Sequence, residues 1–406
     1  MLDGVAARLI GSPGLGRDEL AALQGAHVAV IGAGLLGGQL VQHLAMLGVG
    51  QVIVDCGRVD IANLGNQGFP VASLGVPKSI ARARQVAALN PDCHVRALSC
   101  RIEDLGLAAL AGVDLIATGL DSRAARMRVN EISWALGTRW VDAAVDGSGR
   151  WLRGTITMYD PRRDDSPCYV CRLDAAGVAA IAKEGRPHAC PSWRRAAAPV
   201  TAPTLQASAF GAIVGGFQAL QITSALLQPG CEPAGRQLVV ECDGMPRVRR
   251  LELARNPRCL SGHHGPVPLR SCPGVRLADL LGAATVDLGA PPEEICCHGR
   301  AFVTGLVCAR CGATRDLVRV TEACTDEDIR CGCGPAAEMA PVATSERLSG
   351  AEAARQAQRS WRDLGIPAGE VVSATVASQR RHYIVNQLEF SFWEATEPRM
   401  GGTQRE

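Results

Sequence analysis

The chain has 406 residues, 47% of them hydrophobic, and a formal net charge of +2. That length supports two domains, or one large domain with an appendage, built around a sizeable core. The near-neutral charge gives no reason to expect nucleic acid or a membrane surface as partner. No run approaches bilayer-spanning length and the N-terminus lacks a signal-peptide apolar region, so a soluble cytoplasmic protein is expected.

From residue 17 to 143 helical and strand patterns alternate as in a parallel sheet. Helices are predicted over 17–24, 35–48, 77–90 and 122–136, and strands over 27–31, 51–54, 94–98, 113–118 and 139–143. The first strand runs into a helix through His27-Val-Ala-Val-Ile-Gly-Ala-Gly-Leu-Leu-Gly37, the glycine-rich turn of a Rossmann-like unit. Gly32 permits the tight turn, Gly34 lets a phosphate approach the backbone, and Gly37 lets helix pack on strand. The helix N-terminus behind the turn offers N–H groups and a positive dipole end to an anion. The second strand ends in Asp55, positioned for the hydroxyls of a ribose. Alone, these features say nucleotide.

Further along, 150–159 is rich in β-formers and reads as antiparallel strands added to the nucleotide fold. Residues 174–202 read as a long crossing loop with one short helix. Thr204–Leu227 reads as a long apolar helix whose polar interruptions make it buried rather than membrane-spanning, and strands follow at 237–242 and 246–254. Composition shifts near Cys272-Pro273: the chain is cysteine-dense to Gly334, then Ala/Glu/Arg-rich, with a polar tail after Glu394. The expected division is therefore 1–270 and 271–406.

The 17 cysteines include Cys-x-x-Cys and Cys-x-Cys groups, which in a reducing compartment signify metal or redox chemistry. Cys308-Ala-Arg-Cys311-Gly is a zinc-ribbon half whose partner would be Cys331 with Cys333, and Cys296-Cys297-His298 belongs to the same cysteine-rich stretch. Cys56, Cys93, Cys100, Cys231, Cys242 and Cys324 stand alone and are expected to be small buried hydrophobes.

After Asp55 the chain carries Arg58-Val-Asp-Ile-Ala-Asn63-Leu-Gly-Asn66-Gln67, then Gly75-Val-Pro-Lys78 and Thr118-Gly-Leu-Asp121. Pro167-Cys168-Tyr-Val-Cys171 and Asn256-Pro-Arg-Cys259-Leu-Ser-Gly-His263 follow. In this order and spacing, over roughly residues 1–260, the chain resembles the ubiquitin-activating/ThiF–MoeB superfamily. The resemblance implies a doubly wound, largely parallel Rossmann-like α/β sheet with an antiparallel extension; the cysteine pattern adds a small zinc-ribbon-like C-terminal domain.

It also implies ATP- and Mg²⁺-dependent adenylation of the C-terminal glycine of a ubiquitin-like protein. By resemblance Asp55 would hold the ribose, Lys78 and Asn63 the phosphates, and Asp121 the magnesium. Gln67 belongs to the same motif. Arg8 matches an N-terminal arginine that reaches the partner subunit's nucleotide in bacterial homodimers, which implies a homodimer. Where the family has an arginine in Asn-Leu-x-Arg-Gln, this chain has Asn66. Either Arg58 or Arg8 compensates for the missing charge, or ATP binding is weaker than usual.

The resemblance further implies a structural zinc on Cys168, Cys171 and Cys259, with His263 as fourth ligand and His264 or Cys272 as alternatives. In thioester-forming members the nucleophilic cysteine lies in the crossing loop, where this chain has Cys190, flanked by His188, Arg194 and Arg195. That reading requires a ubiquitin-conjugating-enzyme-like protein as acceptor and fits a bacterial antiphage conjugation pathway. The alternatives are a sulfur-carrier adenylyltransferase of thiamine or molybdenum-cofactor type and a catalytically silent nucleotide-binding scaffold.

Overall fold

The runs Val28-Ala-Val-Ile31 and Val52-Ile-Val54 are apolar without alternation, as strands buried on both faces must be. They become the centre of a nine-stranded sheet. The computed structural model describes residues 15–146, 152–182, 208–228, 234–242, 245–261, 263, 265–334, 337–386 and 393–394. Strands β1 (His27–Ile31), β2 (Gly50–Val54), β3 (Val95–Leu98), β4 (Leu115–Thr118) and β5 (Arg139–Asp146) are mutually parallel. Strands β6 (Leu152–Tyr159), β7 (Arg236–Cys242) and β8 (Pro246–Glu252) extend the sheet antiparallel. The order β3-β2-β1-β4-β5-β6-β7-β8 reverses direction of build between β1 and β4. A crevice opens at the carboxyl ends of the strands at such a switch point.

The helices of this part are α1 (Arg17–Gly25), α2 (Leu35–Met46), α3 (Ile61–Gln67), α4 (Lys78–Leu89), α5 (Arg123–Leu136), α6 (Ala175–Ala182) and α7 (Ser208–Leu227). One face of the sheet is covered by α2, α4 and α7, whose Leu40, Leu44, Val86, Val214 and Ile222 pack on Val28 and Val30. The other face is covered by α5 and the short turns at 102–110, through Val129, Ile132 and Leu110.

The predicted strands and helices of 17–143 are present with small end shifts; β5 runs on to Asp146, and α3 is an addition. Helix α7 corrects the expectation that no run reaches bilayer-spanning length: its 20 residues are long and apolar enough to cross a membrane by length and composition. Here it lies against the sheet. Gln218 Nε2 donates to the carbonyls of Thr118 (2.9 Å) and Val141 (3.1 Å), and a Cβ on Gly211 would fall 2.5 Å from Leu35.

The C-terminal part begins with β9 (Leu269–Ser271), followed by α8 (Leu277–Leu288), β10 (Glu294–Cys297), β11 (Phe302–Cys308) and β12 (Thr314–Val320). Then come α9 (Asp326–Ile329), β13 (Met339–Pro341), β14 (Thr344–Ser345), β15 (Arg347–Ser349), α10 (Gly350–Arg355), β16 (Glu370–Val376) and β17 (Gln379–Val385). They form a five-stranded sheet, β15-β10-β16-β17-β9, and a smaller sheet of β12, β11, β13 and β14. The two sheets have cores of their own, one around Trp361, Phe302 and Tyr383 and one around Leu306, Cys308 and Met339.

The two halves share a seam. Val371, Leu269 and Ile384 pack with the α5 core, and the two-residue strand β18 (Trp393–Glu394) pairs antiparallel with β3. Buried in the seam, Glu370 binds both Arg128 (3.1 Å) and Arg300. The Arg300 guanidinium also donates to the Leu105 carbonyl at 3.1 Å.

Candidate active site and cysteine clusters

The glycine-rich turn between β1 and α2 takes its shape from contacts that tolerate no side chain. Gly32 has φ +93°, and a Cβ there would sit 2.7 Å from the Gly119 carbonyl oxygen. A Cβ on Gly37 would sit 1.7 Å from the Gly32 oxygen. Gly34 has ordinary φ; the nearest atoms to a Cβ there are the Gln67 amide at 3.8 Å, so its missing side chain leaves room rather than relieving a clash.

Two side chains, half-buried Asp55 and buried Arg82, hold the turn. The Asp55 carboxylate accepts from the backbone N–H of Ala33 (2.7 Å) and of Gly57 (2.6 Å). Arg82, 1% exposed on α4, donates to the carbonyls of Ala33 and Gly34, both at 3.2 Å, and to that of Gln67. Burial pushes the Arg82 pKa down to about 10 against the pull of Asp55, so it stays charged at neutral pH. A trans peptide points its N–H opposite its C=O. Tying the Ala33 and Gly34 carbonyls to Arg82 therefore aims the N–H groups of Gly34 and Leu35 the other way.

These elements enclose a cleft of about 600 Å³ at the switch point. Gly32, Gly34, Asp55, Asn63, Asn66, Gln67, Lys78 and Asp121 all line it. Lys78 opens α4, its backbone N–H donating to Gly57 at 2.8 Å, and Asp121 stands one residue before Ser122, the N-cap of α5. Asn63 and Asp60 cap α3 reciprocally, Asn63 Oδ1 accepting from the Asp60 N–H at 3.1 Å and its own N–H donating to Asp60 Oδ1 at 3.0 Å. The amide oxygens of Asn66 and Gln67 are buried without a hydrogen-bond partner among the described residues. Orphaned polar atoms at the wall of a cleft fit a site built for a polar ligand.

Of the two arginines that could offset Asn66, Arg58 donates to the Gly75 carbonyl at 2.7 Å and is not among the cleft residues. Arg8 lies outside the described residues, as does Cys190 with His188, Arg194 and Arg195. The cleft instead holds two cations that sequence reasoning missed, Arg101 and Arg126. Arg126 binds the buried Asp142 at 3.0 Å and donates to the Leu120 carbonyl, bracing the segment that carries Asp121. Burial alone would lower the Arg126 pKa; the Asp142 carboxylate outweighs it and raises it. Cys56 is a correction: expected to be buried, it is exposed and lines the cleft, while Cys93 and Cys324 are buried as expected. Cys100 and Cys242 are half-buried, and Cys231 lies outside the described residues.

Two cysteine clusters form away from the cleft. Cys168, Cys171, Cys259 and His263 bring one ligand atom each to within 4.8 Å of one another. The Cys168 and Cys259 sulfurs are 3.5 Å apart, and Cys171 Sγ lies 3.0 Å from His263 Nε2. His263 reaches this position from left-handed backbone, φ +47°, with its ring edge-on to Trp134. Of its alternatives, Cys272 is buried in the C-terminal core and His264 lies outside the described residues.

Cys308, Cys311, Cys331 and Cys333 form the second cluster, with Cys308–Cys333 at 3.7 Å and Cys311–Cys331 at 3.6 Å. Backbone N–H groups of Cys311 and Arg310 draw the Cys308 thiol down, favouring its thiolate. Three thiolates with an imidazole, and four thiolates, are both donor sets that fit tetrahedral zinc.

The sheet order and the cleft define a nucleotide-binding α/β protein of the doubly wound class. The chain belongs to the ThiF family, whose sequence pattern matches residues 6–261. It is 30% identical over 258 residues to the sulfur carrier protein adenylyltransferase of Thermus thermophilus, covering 61% of this chain and 86% of that protein. It is 27% identical to the molybdopterin-synthase adenylyltransferase of Salmonella typhimurium, covering 59% of this chain and 87% of that protein. To the SAMP-activating enzyme E1 of Haloferax volcanii it is 32% identical, over 41% of this chain and 58% of that protein. Among solved structures, E. coli MccB with MccA superposes with a TM-score of 0.51 at 15% identity, over 64% of this chain and 75% of that one, a likeness of fold.

Proposed function

We propose that this chain is an ATP-dependent enzyme that adenylates the C-terminal glycine of a ubiquitin-like or sulfur-carrier protein. The observation that carries the reading is the convergence of Asp55, Asn63, Lys78 and Asp121 on one cleft at the switch point of a ThiF-family sheet. In the reaction the glycine carboxylate attacks the α-phosphorus of ATP. The bond between that phosphorus and the bridging oxygen breaks, and pyrophosphate leaves. Asp55 would accept from the ribose hydroxyls with the lone pairs its backbone bonds leave over. Gly34 N–H, Lys78 and the amides of Asn63, Asn66 and Gln67 would hold the phosphates. Asp121 would hold Mg²⁺, which when bound neutralises charge on the phosphates. Arg8 of a second copy would complete the site in a homodimer.

In the finer reading the Cys190 thiolate then attacks the acyl carbonyl, AMP leaves, and the thioester passes to a cysteine of a conjugating-enzyme-like protein, in the setting of an antiphage conjugation pathway. Support comes from the position of Cys190 in the segment after α6 and from likeness to the SAMP-activating enzyme E1. The sulfur-carrier reading is favoured by a different observation: the Thermus thermophilus and Salmonella typhimurium relatives are matched over most of their length.

ATP–pyrophosphate exchange dependent on a glycine-ended ubiquitin-like protein tests the common step. Asp121→Ala should lower that exchange on the order of 100-fold or more while leaving the melting temperature unchanged. No exchange by the wild-type protein with any such partner, or full exchange by Asp121→Ala, would overturn it. A reductant-sensitive adduct that Cys190→Ala abolishes while exchange persists supports the thioester; exchange with no adduct supports the sulfur carrier.

A further inference from the structure

Beyond the two cysteine clusters, Cys296, His298 and Glu346 also bring their ligand atoms within 4.8 Å of one another. The strand register explains how. Along β10, Ile295 and Cys297 face the C-terminal core, so Cys296 faces the opposite side of the five-stranded sheet. There Cys296 stands opposite Ser373 of β16, and Ser373 opposite His382 of β17. On the other side Cys296 stands opposite Arg347 of β15, so the residue before it, Glu346, arrives at the same end of the row. The Cys297 N–H donates to the Glu346 carbonyl at 2.9 Å, pinning that approach.

We propose that these three residues form a third metal site, for a divalent ion of the zinc class, with Cys296 Sγ, His298 Nδ1 and a Glu346 carboxylate oxygen as ligands. The site departs from both cysteine clusters in its mixed sulfur, nitrogen and oxygen donors, a set suited to borderline ions. Cys296 Sγ lies 3.7 Å from His298 Nδ1. Zinc–sulfur and zinc–nitrogen bonds of ordinary length at a tetrahedral angle put those atoms about 3.5 Å apart.

The surroundings of His298 are those of a metal ligand. Its Nε2 lies 2.7 Å from Ser373 Oγ, which lies 2.7 Å from His382 Nδ1. If Nε2–H donates to Ser373 and the serine hydroxyl to His382, the Nδ1 lone pair of His298 is left facing Cys296. A hydrogen bond to the distal nitrogen is how ligating histidines are oriented. Nearby cations are engaged elsewhere: Arg347 pairs with Glu294 at 3.2 Å and Arg380 donates to Thr375 at 3.3 Å. A carboxylate, an imidazole and a thiol thus converge at one end of the row.

Three protein ligands leave a fourth position, and exposed His298 and Glu346 put it at the surface, where water or an added ligand can take it. Cys296 is buried at 3% exposure, which keeps its sulfur from bulk solvent.

The test is metal content and Co²⁺ titration of the full chain, comparing wild type with His298→Ala, Cys296→Ser and Glu346→Gln. Each of the first two variants should hold one equivalent less than wild type, and Cys296→Ser should lose that equivalent's sulfur-to-cobalt charge-transfer band. Ser373→Ala, which removes the hydrogen bond to His298 but no ligand atom, should weaken that equivalent by roughly 10–100-fold. Added azide should shift the cobalt spectrum of wild type and not of His298→Ala. Glu346→Gln, at an exposed position, guards against loss of fold in the other variants. Equal metal content and identical Co²⁺ titrations in folded wild type, His298→Ala and Glu346→Gln would overturn the site and leave a hydrogen-bonded thiol–imidazole pair.

Discussion

Arg82 carries a charge into the interior, where a charge is costly unless every donor finds an acceptor. It finds the carbonyls of Ala33, Gly34 and Gln67, the Gln85 side chain at 2.8 Å, and the face of Phe69 at 3.9 Å. Lysine keeps the charge but loses the planar fork that reaches several carbonyls at once. Each hydrogen bond from a charged donor is worth about 1.5–3 kcal/mol, so Arg82→Lys should loosen the turn and weaken ATP binding on the order of 10-fold. Calorimetric titration of ATP into the variant checks this, and an unchanged dissociation constant would refute the role. Nothing in the sequence separates Arg82 from its neighbour Arg84, because burial is decided by how α4 lies on the turn. The pairing of Arg126 with Asp142 is likewise decided by the fold, which brings α5 against β5. Asp55 was legible because it ends the second strand of a glycine-marked unit; Lys78 and Asp121 were singled out by the likeness to the ThiF–MoeB superfamily, and all three line the cleft.

At the scale of elements, the alternation of apolar strands and amphipathic helices from 17 to 143 was legible because each βαβ unit announces itself locally. The C-terminal sheets were not. Their strands are as short as two or three residues, and β9 pairs with β17 across more than a hundred residues of sequence. The cysteine pairs were legible by spacing, but the convergence of Cys168-x-x-Cys171 with Cys259 spans 91 residues and needed the fold. That first cluster sits under α5 and α6, packed with Trp134, Val170 and Val178, and joins the chain before α6 to the chain after β8. It therefore fixes the chain just before α6. Cys259→Ser should release one zinc per chain and lower stability by about 3 kcal/mol or more, since the remaining ligands must be rehydrated or left unpaired. Zinc analysis alongside thermal melting measures both. A wild-type protein with no zinc would end the argument, as would a Cys259→Ser variant with unchanged metal and melting temperature.

Across the whole molecule the division near residue 270 is a change of composition more than a separation in space. The five-stranded sheet turns one face to its own core and lends Val371, Leu269 and Ile384 to the core around α5. Into that seam the fold buries one carboxylate between two guanidiniums: Glu370 is 0% exposed, Arg300 2% and Arg128 6%. Burial would lower the Arg128 pKa, yet the Glu370 and Glu131 carboxylates raise it, so Arg128 stays charged in the folded state. Such a group is weak evidence for net stability, but breaking it is costly, because the partners remain charged and dry. Glu370→Ala should therefore cost about 3–5 kcal/mol. Because Arg128 comes from the nucleotide-binding half and Arg300 from the C-terminal half, the loss should fall on their attachment. The expected signature in denaturant is a single transition for wild type that splits in Glu370→Ala, the C-terminal sheets melting first while the ATP cleft still binds nucleotide. Replacing Glu370, Arg128 and Arg300 together by Met, which removes the charges with their partners, should recover much of the loss. If Glu370→Ala melts like wild type, or if the triple replacement is as unstable as the single one, the ion cluster is not what joins the halves, and the apolar contacts of Val371 and Ile384 carry the seam.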